Sequence, residues 1–96
     1  MTRTRTATAS TSVLAPEALA LIDRVMAART AFRAADLSRR GADILIALGY
    51  WEPGALTGVY WEDRGGALGL GARAAATPGC GQATLREIRI FHHWHW

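Results

Sequence analysis

Apolar residues recur every three or four positions through the first half of the chain and every second position at its end. Ala18, Leu19, Ile22, Val25 and Met26 fall on one stripe, with Asp23 and Arg24 off it, so the spacing predicts an amphipathic helix over residues 16–29. Pro16 and Glu17 suit its first turn, where proline loses no hydrogen bond and a carboxylate is favoured by the helix dipole. Thr30 is placed to cap a second helical segment. Leu37, Ile44, Leu45 and Leu48 continue at helical spacing over 33–48, either as one helix or, broken at Ser38 and Gly41, as two short helices over 33–39 and 42–48. Gly49 comes next as a left-handed terminator, and Pro53–Gly54 marks a turn.

The second half reads as strands. Residues 56–62 are β-prone, DRGG at 63–66 has hairpin chemistry, and residues 67–73 can return as a glycine-weakened strand. A loop over 77–82 leads to the clearest strand, 84–96. There parity places Ile88, Ile90, His92, Trp94 and Trp96 on one face and Glu87, Arg89, Phe91, His93 and His95 on the other. Ile88, Ile90 and Trp94 are expected to pack on the helices, with the opposite face outward. The expected fold is α+β, with two or three N-terminal helices packed on a three-stranded antiparallel sheet (ααβββ). Residues 1–13, rich in Arg, Thr and Ser, are expected to form a disordered basic tail, leaving 14–96 as a single small domain.

Composition narrows the function classes. The basic charge is carried by 11 Arg with no Lys, for a net charge of +3. Residues 1–48 hold seven Arg against four acids, while residues 49–96 balance at four each, so basicity lies in the tail and helices. One cysteine, Cys80, excludes an internal disulfide and suits a reducing, cytoplasmic setting. The longest strongly apolar run, Ile44 to Leu48, is too short to span a bilayer, so no membrane partner is expected.

The ending FHHWHW offers three readings: a metal site, a stacking surface, or the last strand of the core. On a strand, His93 and His95 point the same way, about 7 Å apart, but two ligands do not complete a metal site. Phe91, His93, His95 and Trp96 therefore stand as candidate partner-binding residues, with no metal or other cofactor assigned. Catalysis has little footing. Cys80 lies in a Gly-Cys-Gly stretch that suggests no helix N-terminus to activate its thiol, and GALGLGARAAA is a poor phosphate loop. The chain is expected not to be an enzyme.

The stretch ALALIDRVMAARTAFRAADLSRRGADILIALGYW, with a glycine-rich turn after it, resembles winged helix-turn-helix DNA-binding domains. The resemblance covers residues 17 to about 73, matching Phe32–Arg40 to the second helix, Ala42–Tyr50 to the end of the recognition helix and Val59–Leu70 to the β-wing. It implies a winged-helix-like fold, with Arg33, Arg39 and Arg40 contacting DNA and Arg64 contacting the backbone or minor groove from the wing tip. Two functions are expected. One is a nucleic-acid-binding or regulatory module with a basic helical face. The other is a small protein-binding inhibitor or accessory subunit, of bacterial or mobile-element origin, with the C-terminal strand as its interface. The partner is thus nucleic acid or a protein or nucleoprotein complex.

Overall fold

The computed structural model describes residues 15–96, so the expected disordered tail over 1–13 lies outside the described residues. Among the described residues there are four α-helices: α1 (Pro16–Ala34), α2 (Arg39–Ala47), α3 (Leu70–Ala75) and α4 (Gln82–His95), with a 3-10 turn at Pro53–Leu56 between α2 and α3. Among the described residues no helix is long and apolar enough to cross a membrane.

The helical half differs from expectation in where it breaks. Thr30 caps nothing; its hydroxyl donates back to the Met26 carbonyl at 3.0 Å and α1 runs on to Ala34. The chain turns instead at Ala35–Asp36. Asp36 N–H donates to the Arg33 carbonyl at 3.0 Å and Leu37 N–H to the Phe32 carbonyl at 3.1 Å, the paired bonds of a Schellman cap. Asp36 holds the left-handed position at φ 71°, where glycine is the usual residue. α2 ends in the same way at Gly49, φ 97°, with Tyr50 N–H donating to the Leu45 carbonyl at 3.0 Å.

The expected three-stranded sheet, and with it the α+β, winged-helix-like fold, is overturned: the described residues form no sheet. The segment matched to a wing, Val59–Leu70, contains only an isolated bridge between Arg64 and Ala67. Gly65 and Gly66 turn the chain within that bridge at positive φ, whereas Gly69 and the following Gly71 serve close approach. A side chain at Gly69 would collide with the backbone of Trp61 and Glu62, and one at Gly71 would meet the Trp61 indole at 2.7 Å. That proximity lets the Tyr60 and Trp61 carbonyls accept from Leu70 N–H at 2.8 Å and Gly71 N–H at 3.1 Å, satisfying donors in the first turn of α3.

The expected last strand is helix α4. Two periods overlap in its sequence. Ile88, Ile90, Trp94 and Trp96 alternate, but Thr84, Ile88 and Phe91, with Leu85 and His92, recur at threes and fours among good helix formers. The helical period is the one that closes the core: Thr84, Ile88, Phe91 and His92 are buried, while Ile90 is 57% exposed. α4 packs against α2, α3 and the 3-10 turn, and Phe91 meets Phe32 of α1 edge-on at 5.9 Å between ring centroids. Phe32, Leu37, Leu45, Leu56, Leu70 and Ile88 make the fully buried centre. α1 enters this core only with Ala28 and Phe32. Leu19, Ile22 and Met26 of the predicted apolar stripe are exposed, as is Leu21.

Glu87 joins α4 to α2. Its carboxylate accepts from the Ser38 hydroxyl at 2.5 Å and from Ser38 N–H at 3.0 Å, and the Ser38 oxygen accepts Gly41 N–H at 3.1 Å as the N-cap of α2. Gly41 is required by proximity, since a β-carbon there would lie 2.9 Å from the Leu37 side chain and 3.1 Å from the Glu87 carboxylate.

Candidate functional site

The arginines proposed for nucleic acid lie on three segments: α1, α2 and the loop before α3. Arg33 is exposed in the last turn of α1, and Arg39 and Arg40 are exposed in the first turn of α2. Asp43 lies between Arg29, at 2.7 Å, and Arg39, at 3.9 Å, so local carboxylate charge offsets the basic face. Arg64 has a different neighbour, with its guanidinium 4.2 Å over the Tyr60 ring. Of the 11 Arg, Arg3 and Arg5 lie outside the described residues; the remaining nine face eight acids, a balance of +1 for residues 15–96.

The proposed partner-binding row is also redistributed, because residues two apart on a helix point to nearly opposite sides. Phe91 is buried, stacked on His95 at 4.1 Å between centroids, and His95 Nδ1 donates to the Phe91 carbonyl at 2.9 Å. His93 is exposed and turned edge-on to Trp94. The two histidines that strand geometry would converge on a metal are thus separated, and no group of three candidate metal ligands occurs among the described residues. Trp96 is exposed beside Tyr60, with ring centroids 6.2 Å apart.

Two of the recesses beside α4 reach its last turns. The larger, about 550 Å³, is an apolar groove between the α1–α2 corner and one face of the helix, bounded by Ala35, Leu37, Ala83, Ile90, Phe91 and Trp94. Trp94 is 75% exposed on its wall, and Asp36, Arg86 and Glu87 add charge of both signs to its lining. Sequence reasoning missed this groove by assigning Ile90 and Trp94 to the core. The helical series Ala83, Glu87, Ile90, Trp94, at steps of four, three and four, is the signal that marks it.

The second recess, about 350 Å³, opens between residues 60–62 and the other side of α4. Tyr60, Trp61 and Trp96 supply its rings, Arg89 and Glu62 its charges, and His92 and His93 complete the lining. His92 is buried against Trp61, 5.7 Å between centroids, with Nε2 2.5 Å from the Val59 carbonyl. A carbonyl oxygen can only accept, so Nε2 carries the proton and the ring is oriented by that bond.

Cys80 lies one residue before Gly81, the N-cap of α4, correcting the expectation that no helix begins near it. Helix proximity does not activate it: burial raises the thiol's pKa above its ordinary value, and Sγ donates weakly to the Gly81 carbonyl at 3.8 Å.

Compared with known proteins, the chain matches no protein-family model, no curated protein and no solved structure.

Proposed function

We propose that this protein is a binding module, an accessory or inhibitory subunit, that takes an amphipathic helix of a partner protein into the groove between the α1–α2 corner and α4. The observation that carries the reading is the exposure of Trp94 and Ile90, 75% and 57%, on the wall of a groove of about 550 Å³ floored by Leu37 and Phe91. Tryptophan is among the residues enriched at the hot spots of protein interfaces, and a groove beside a helix matches the i, i+3, i+4, i+7 anchors of an incoming helix. Charges of both signs around the groove, Asp36, Arg86 and Glu87, favour a helix whose flanks are themselves mixed. The basic helical face is the weaker candidate, because Asp43 pairs with Arg29 and Arg39 and residues 15–96 are close to neutral.

A photo-crosslinking residue at position 94, with one at exposed Leu68 as control, tests this reading in the native host. The expected result is one protein captured from position 94 and not from 68, and lost when Ile90→Asp is added. Capture of the same proteins from both positions, or of the chain itself alone, overturns it.

A further inference from the structure

The recess on the other side of α4 has a chemistry that the groove reading does not use. We infer that it is a nucleotide-binding site, in which a nucleobase lies against Trp61, Tyr60 and Trp96, a phosphate is held by Arg89, and the hydrogen-bonding edge of the base is read by Glu62.

Three features together support this. The first is the ring set. Tyr60 and Trp96 lie 6.2 Å apart between centroids, and Trp61 and His92 lie 5.7 Å apart. Tyr60 and Trp96 are both exposed, and exposed aromatic faces stack on planar bases of any sequence. The recess, about 350 Å³, is within the range of small-molecule sites.

The second feature is charge. Arg89 and Glu62 both line the recess, and the ion pairs among the described residues involve neither. Arg89 stands 5.9 Å from the centre of the Trp61 ring, close enough to serve the phosphate of a base stacked on that indole. A ligand that satisfies both charges must carry an anion and, apart from it, N–H donors. A nucleotide has this pattern. Guanine presents two adjacent N–H donors that a carboxylate can accept side by side, so Glu62 selects guanine over adenine and cytosine.

The third is preorganisation. The Tyr60 and Trp61 carbonyls are tied to the first turn of α3, and the Trp61 indole is pressed against Gly71. Tyr60 carries the Arg64 guanidinium 4.2 Å over its ring, and His92 is fixed by the Val59 carbonyl. Tyr60 and Trp61 are therefore already held in place, and binding does not have to order them. Arg64, expected at a wing tip, here becomes a second cation beside the recess, placed for a neighbouring phosphate if the nucleotide belongs to a strand.

The test is titration of the full chain with GMP, AMP and CMP, read by tryptophan fluorescence and by the thermal midpoint. A second arm uses single-stranded hexanucleotides with and without guanine. Saturable quenching by GMP is expected, with AMP and CMP about tenfold weaker, the loss that one charged hydrogen bond implies. Arg89→Ala is expected to weaken GMP about tenfold or more. Glu62→Gln is expected to bring GMP and AMP together while leaving quenching by AMP intact, an effect that a merely structural residue would not produce. A hexanucleotide that binds more tightly than GMP, with affinity falling steeply with salt, identifies a strand as the source; equal affinity identifies the free nucleotide. Absence of saturable binding in both arms overturns the inference, as does binding unaltered by Arg89→Ala and Glu62→Gln in variants whose helical content matches the parent. Ile90→Asp, in the groove, is expected to leave nucleotide binding unchanged, so failure here and failure of the groove reading are separable.

Discussion

The Glu87 carboxylate accepts the Ser38 hydroxyl hydrogen at 2.5 Å across 49 residues of sequence, and the same serine caps α2 through Gly41 N–H. One acid on α4 therefore orients the residue that begins α2. Glu87→Ala leaves the Ser38 hydroxyl and amide without their acceptor, and is expected to cost about 2 kcal/mol. Ser38→Ala removes the cap and is expected to cost about 1–2 kcal/mol. Because the two act through one contact, the double variant should fall short of the sum by about 1 kcal/mol. Urea unfolding of the four proteins measures this, and strict additivity would show that the contact contributes nothing.

At Asp36 the backbone requires φ 71° in a residue with a β-carbon. Glycine relieves that strain but adds freedom to the unfolded chain, so Asp36→Gly is expected to stabilise by about 0.5–1 kcal/mol, the difference of the two effects. Asp36→Ala, which lacks aspartate's tolerance of this conformation, is expected to destabilise by about 1 kcal/mol. Thermal melts should show shifts of opposite sign, with the glycine variant about 3–5 °C above the parent. Shifts of the same sign would mean that the Asp36 side chain, not its backbone, governs the corner.

Ile90 and Phe91 are adjacent and differ entirely in burial, which makes them a direct test of α4 as a helix. Phe91→Ala removes a ring that packs against Phe32 and is expected to cost about 3–4 kcal/mol. Ile90→Ala trims an exposed side chain and should stay within about 0.5 kcal/mol of the parent. A strand with Ile90 inward and Phe91 outward requires the reverse order, so chemical denaturation of the two variants decides between them.

The first half was largely legible because its signals are local. Pro16 opens α1 and Gly49 ends α2, each through backbone chemistry that the residue carries with it. Thr30 misled because its hydroxyl can serve either as a cap or as a donor to the preceding turn, and only the packing of Phe32 beyond it settles which. The second half was illegible for a different reason. Ile88 and Ile90 satisfy a period of two and Ile88 and Phe91 a helical one, and the choice depends on whether Phe32 of α1 waits to receive Phe91. Gly69 and Gly71 look like strand weakness, yet their role is to admit Trp61, a residue eight or ten positions earlier. The groove shared the fate of α4: once the helix turned Ile90 and Trp94 outward, residues assigned to the core became its wall. Of the residues proposed for function from sequence, Arg64 and Trp96 are grouped around Tyr60, and His93 lines the adjoining recess.

Cys80 sets two influences against each other. It stands just before the N-terminus of a 14-residue helix, whose dipole favours a thiolate, and it is partly buried, which disfavours one. Burial prevails and the thiol's pKa is raised, so the folded protein keeps the proton to higher pH than the unfolded chain does. The thiolate is the reacting form, so alkylation by iodoacetamide at pH 8 should be slower in the folded protein than in urea. The sign of the linked stability comes from proton uptake. The contribution of the neutral thiol is fully present below the unfolded thiol's pKa and is lost as pH rises through the higher folded one. The urea midpoint of the parent should therefore fall more steeply with alkaline pH than that of Cys80→Ser, whose hydroxyl does not titrate there. Comparing the two proteins cancels the tyrosines and arginines, which are common to both. Faster alkylation in the folded state would mean that the helix terminus prevails at this position instead.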